Sequence, residues 1–196
     1  MKRNRWRLLR PFASVVSLVA LALGLMIAPS VVSADQSDAR LTPLFAQLKS
    51  ESEPHTLAVV ERHIWALWSE SGRPEVDQAL AVGARAMAEG EFKLAADWFG
   101  KVIQLAPDFA EGWNKRATAH YLADDLDASV RDIQKTLALE PRHFGALSGL
   151  GLIFMQRGDL AGALAAFEQV LVVHPNSAQA RVHVRGLRHR LRHGAA

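Results

Sequence analysis

Eight histidines and twenty carboxylates, with no cysteine, bound the chemistry that this chain of 196 residues can carry. His183, His189 and His193 stand near the C-terminus at gaps of six and four. Zinc ligands on one helix are spaced three or four apart and need further donors. His189 and His193 meet the spacing, but no third ligand follows in the sequence. Asp124, Asp125 and Asp127 lack the alternation and closing Glu of a calcium loop, so they read as solvated turn carboxylates that assist a helix start. His120 and His143 have no sequence-evident nucleophile to serve. No phosphate loop, dinucleotide fingerprint, Gly-x-Ser-x-Gly elbow or His-Glu-x-x-His pair occurs. The reading is a non-enzyme without metal or cofactor.

Charge excludes a second class of function. The formal net charge is +3, yet five of the 23 basic residues, Lys2, Arg3, Arg5, Arg7 and Arg10, lie in an acid-free stretch of residues 1–34. Beyond it, 18 basic residues face all 20 acidic ones, so the excess positive charge is a property of the start of the chain and no nucleic-acid partner is implied. That start has a basic lead, an apolar run from Phe12 to Ala28, and Val32-Ser33-Ala34 before Asp35, the three parts of an export signal with cleavage expected after Ala34. The expected location is then the periplasm or outside the cell. An uncleaved inner-membrane anchor facing the periplasm is the alternative, because about 17 apolar residues approach the length of a spanning helix.

Residues 35–75 hold two weaker helical patterns. Leu41, Leu44, Phe45 and Leu48 form one apolar face; Leu57, Val60, Ile64, Leu67 and Trp68 form another, closed by Ser71-Gly72 before Pro74. Lys49 and Glu61 stand where a tightly crossed hairpin wants small residues. The pair reads as a degenerate hairpin or N-terminal cap, with Trp65 and Trp68 packed on the adjoining unit.

From residue 76 to 177 a pattern of 34 residues repeats: Pro107, Pro141 and Pro175 close units 76–109, 110–143 and 144–177. The eighth position holds Gly83, Ala117 and Gly151, and the twentieth holds Ala95, Ser129 and Ala163, small residues that let two helices cross closely. Large residues fill the space beside them: Phe92, Leu126 and Leu160, then Phe99, Ile133 and Phe167, then Leu105, Leu139 and Val173. Gly90, Asp124 and Gly158 mark the turns between helices. Ser129, Thr136 and Ala79 depart from the pattern and are expected to loosen local packing. Residues 178–196 read as a capping helix and basic tail. There Ala180, Val184, Leu187 and Leu191 form one stripe, and Arg181, Arg185, Arg188, Arg190 and Arg192 lie elsewhere on the helix.

These registers resemble the tetratricopeptide repeat family, and Trp113, Asn114, Lys115, Arg116 and Ala117 look like the first-helix opening of its small exported bacterial members. The resemblance implies an all-α, right-handed superhelical solenoid of antiparallel helix hairpins, here preceded by the N-terminal signal helix. It also implies a concave groove that holds a protein or peptide partner, lined by Leu80, Ala84, Met87, Glu111, Asn114, Thr118, Tyr121, Ser148, Leu152 and Met155, with Asp77 and Gly145 at equivalent positions. Lys115 lies beside the groove with Arg116. Leu80, Ala84 and Ser148 lack the cations and amides of the family's carboxylate clamp. The functional expectation is an exported adaptor. The alternative is a membrane-surface protein acting through the basic C-terminal helix or a retained N-terminal anchor.

Overall fold

The computed structural model describes residues 35–193; the expected export signal of residues 1–34 lies outside the described residues. Among these the chain forms nine α-helices and no strand: α1 (Leu41–Ser50), α2 (Pro54–Ser69), α3 (Pro74–Ala88), α4 (Phe92–Leu105), α5 (Ala110–Leu122), α6 (Leu126–Leu139), α7 (Phe144–Gln156), α8 (Leu160–Val173) and α9 (Ala178–His193). Helices α3 to α8 pair as three antiparallel hairpins that stack in order, and α9 packs on α8.

Local chemistry explains each boundary. Gly90, Asp124 and Gly158 occupy the same place in three turns and all take positive φ, at 80°, 61° and 76°. Asp is among the few side chains that tolerate this region, which is why it can replace Gly in the middle turn. The following helices α6 and α8 are capped by Asp125 and Asp159, whose carboxylates accept from the amides of Ala128 and Gly162. Helix α2 starts at Pro54, with Glu53 accepting from the amides of His55 and Thr56.

The crossing positions work as their size requires. A Cβ on Gly83 would lie 2.5 Å from the Phe99 ring, and one on Gly151 would lie 2.7 Å from the Phe167 ring. Phe99 and Phe167 are fully buried as a result. In the middle hairpin Ser129 replaces Ala and, contrary to the expected loosening, its hydroxyl donates to the Ala117 carbonyl at 2.8 Å. Thr136 is likewise buried with its hydroxyl bonded to the Asp132 carbonyl, so neither departure leaves an unmet polar group.

The largest departure from expectation is the destination of α1 and α2. Their apolar stripes do not stack on α3. Leu41, Phe45, Leu48, Leu57, Val60, Ile64, Leu67 and Trp68 share a core with Phe144, Leu147, Phe167, Val170, Val184 and Leu187, from α7, α8 and α9. Helix α2 thereby crosses the face made by the first helices of the hairpins and reaches α5. Two polar ties hold the α1–α2 segment there: Glu61 of α2 to His174 at 2.8 Å, and the carbonyl of Glu51, between the two helices, accepting from the Asn176 side chain.

Candidate functional site, a concave groove partly filled by a helix of the chain

The second helical residue of the middle repeat, Glu111, anchors the site. Its side chain is fully buried, and its Oε2 accepts from Asn114 Nδ2 at 2.9 Å and lies 3.0 Å from His143 Nε2. Lys115 Nζ sits 3.2 Å from the other carboxylate oxygen, one helical turn on. Burial pushes the Glu111 carboxyl up, but the hydrogen bond from His143, with the charge and hydrogen bond of Lys115, holds the group below its ordinary value.

His143 is the N-cap of α7, with its Nδ1 accepting from the Ala146 amide at 3.1 Å. An accepting Nδ1 carries no proton, so Nε2 bears the hydrogen given to Glu111. The ring lies flat against Trp68, with centroids 4.1 Å apart and planes 9° apart, and meets Trp65 edge-on at 5.4 Å. Lys115 stands 5.9 Å over the Trp65 ring. Trp65 also touches α7 where Gly145 leaves room, since a Cβ there would lie 2.5 Å from the indole.

Beyond this filled end the groove is open. A cavity of about 280 Å³ lies between α5 and α7, with Asn114, Thr118, Tyr121, Ser148, Gly149 and Leu152 among its lining. Ala117, Ile133, Ala146 and Ile153 contribute apolar surface. The Thr118 and Ser148 hydroxyls donate to the carbonyls of Asn114 and Phe144 in their own helices, at 3.0 and 2.8 Å. What they retain is acceptor capacity.

The structure thus brings Asn114, Thr118, Tyr121, Ser148 and Leu152 to one cavity. Glu111 and Lys115 belong to the same groove but are engaged under α2, Glu111 with His143 and Lys115 with Glu111 and Trp65. Leu80 and Met87 pack in the first-repeat core with Val76, Phe99 and Ala119, while Ala84 is exposed on α3. Met155 packs against the α1–α2 core. Trp65 and Trp68 do pack, but on the second and third repeats rather than the adjoining first. His143 escaped the sequence reading as a site residue; its available signal was a side chain able to accept at the residue just before α7.

Elsewhere, His183 stacks on Phe167 at 4.3 Å, whereas His189 and His193 lie together with ring centroids 4.5 Å apart. Among the described residues no three His, Asp or Glu side chains gather as a metal site, and no helix is long and apolar enough to cross a membrane.

Stacked antiparallel hairpins around a concave groove define a helical-repeat solenoid. The tetratricopeptide repeat model matches residues 114–181. A TPR repeat-containing protein of Rhizobium etli is 35% identical over 152 residues, spanning 78% of this chain and 74% of that protein. The chain belongs to the tetratricopeptide repeat family. Its fold is similar to the Sgt2 TPR domain from Aspergillus fumigatus, with a TM-score of 0.59 and 23% identity over 63% of this chain and 83% of that one. It is also similar to the first TPR of Spaghetti (RPAP3) bound to the HSP90 peptide SRMEEVD, at a TM-score of 0.57 and 22% identity, covering 59% of this chain and 92% of that one.

Proposed function

We propose that the chain is a non-catalytic exported scaffold, periplasmic after cleavage following Ala34, that holds a protein or peptide partner in its concave groove. The observation that carries this reading is the open cavity between α5 and α7, lined by Thr118, Tyr121, Ser148 and Leu152. Apolar walls with a few fixed polar atoms suit a peptide segment. The family relationship and the peptide-bound Spaghetti domain support the same use of the groove.

The groove chemistry selects the kind of segment. Asn114 gives one of its two amide hydrogens to Glu111, and Thr118 and Ser148 give their hydroxyl hydrogens to main-chain carbonyls. The remaining lone pairs of Thr118 and Ser148 suit the N–H groups of a peptide. Lys115 is already engaged by Glu111 and Trp65. The described lining of the cavity between α5 and α7 includes no Lys or Arg side chain to meet an acidic peptide such as that of the Spaghetti complex.

Crosslinked capture from the cell envelope tests the reading, comparing wild type with Thr118→Trp plus Tyr121→Ala. Asn114 is left intact because it supports Glu111. Loss of the captured partner by the folded double variant is expected; unchanged capture rejects the groove. A mature N-terminus at Asp35 in the soluble periplasmic fraction is the expected location.

A second reading, contact with an anionic membrane surface, is favoured by α9. Arg185, Arg190 and Arg192 are exposed on it beside the exposed apolar Val182 and Leu191. Pelleting with anionic vesicles that is released by added salt would support this reading over soluble export.

A further inference from the structure

We propose that the Glu111 end of the groove is a receptor for an amphipathic helix carrying two aromatic side chains three residues apart, that α2 is its resident occupant, and that a partner helix of this pattern binds by displacing α2. The inference rests on the groove reading above and names the class of ligand.

Three observations carry it. First, α2 lies outside the stack of hairpins. It joins α3 through the four residues Glu70 to Arg73, where Gly72 takes a φ of 69°, and this turn directs α2 across the groove rather than along α3. A helix laid into a groove formed by other helices is how a ligand sits.

Second, the seat is cut for the aromatic pair. The second position of the repeat holds Asp77 in the first repeat and Glu111 in the second, but Gly145 in the third, where any Cβ would lie 2.5 Å from Trp65. Trp68 covers the flat face of His143 at 4.1 Å. His143, Glu111, Asn114 and Lys115 hold one another in place, so the seat is built from fixed groups on α5 and at the start of α7.

Third, the resident occupant leaves interactions unused. Trp68 Nε1 is buried and finds no hydrogen-bond partner among the described residues. The groove continues past Asn114 and Gly145 into the open cavity beside Thr118, Tyr121 and Leu152. A longer helix that places its aromatic pair in the seat and a further apolar side chain in the cavity gains contacts that α2 lacks. Tethering offsets this advantage, because an attached segment competes at a high effective concentration.

The probe is a fluorescent synthetic peptide with the sequence of Pro54–Ser69, titrated by anisotropy onto the full chain. The Trp65→Ala chain, with its own occupant weakened, should bind the probe at least tenfold more tightly than wild type. A probe with both tryptophans replaced by alanine should bind neither chain, and Gly145→Val added to Trp65→Ala should abolish binding. Hydrogen exchange should show α2 amides losing protection as the probe saturates the protein. Equal probe affinity for wild type and Trp65→Ala, with α2 still protected, overturns the proposal. Tight probe binding that Gly145→Val blocks while α2 stays protected leaves the groove as a binding site and removes displacement. Absence of probe binding to every chain also overturns the aromatic-pair receptor; the envelope capture with Thr118→Trp and Tyr121→Ala then decides separately whether the groove binds anything. If Trp65→Ala does not fold, His174→Ala releases the Glu61 tie outside the seat and should give the same rise in affinity.

Discussion

His143 and Glu111, 32 residues apart in the chain, meet through Nε2 and Oε2 at 3.0 Å with both side chains fully buried. The contact joins α5 to the start of α7 and makes the floor on which Trp68 lies. A buried carboxylate is tolerated because His143, Asn114 and Lys115 all face it. Removing it leaves the N–H groups of His143 and Asn114 buried without an acceptor and takes the ion pair from Lys115. Glu111→Ala is therefore expected to cost about 3–5 kcal/mol in urea unfolding, as for breaking a buried pair. Glu111→Gln keeps the shape and one acceptor and should cost less. A loss below about 1 kcal/mol for the alanine variant would contradict this account.

The same carboxylate predicts an acid limb. Its folded value lies below the ordinary 4.5, so the folded state favours the ionised form. This stabilisation is fully present above the ordinary value and is lost as pH falls through the lower folded value. Stability of wild type should decline more steeply below about pH 4.5 than that of Glu111→Gln, so that the gap between them narrows. Parallel curves from pH 6 to pH 3 would count against it.

Gly83 sets two effects against each other. Alanine should gain up to about 1 kcal/mol in helix propensity, but overpacking against Phe99 at 2.5 Å should cost about 1–3 kcal/mol. The clash wins, and Gly83→Ala lowers the melting temperature. Phe99→Ala alone should cost about 3–5 kcal/mol, while in that background Gly83→Ala should become stabilising. A thermal double-mutant cycle reads the reversal of sign.

Arg116 grips Asp132 with two bonds, Nε to Oδ2 at 2.7 Å and Nη2 to Oδ1 at 2.8 Å, joining the two helices of the middle hairpin. Asp132 is nearly buried, and lysine cannot reproduce the planar fork. Arg116→Lys should lose about 1–3 kcal/mol, measured by chemical denaturation. The exposed Gln78→Ala should stay within about 0.5 kcal/mol of wild type.

Much of the fold was legible because each hairpin carries its own instructions. Gly83 and Gly151 encode close crossings; Phe99 and Phe167 fill them. Gly90, Asp124 and Gly158 encode the turns. These are short-range relations, readable from spacing alone, and their repetition multiplies the signal. The candidate site was legible in part. Thr118, Tyr121, Ser148 and Leu152 follow from repeat position, whereas the engagement of Glu111 by His143 requires two adjacent repeats to be superposed in space.

The apolar stripes of α1 and α2 show where sequence stops. Their periodicity determined that two helices would form and which faces they would bury. It did not determine what would cover those faces, since hydrophobic burial is non-directional and either α3 or the distant α7–α9 surface offers apolar area. The tertiary structure decided for the latter. Only there does the Trp65 ring find the space left by Gly145, the Trp68 ring the flat face of His143, and Glu61 the imidazole of His174.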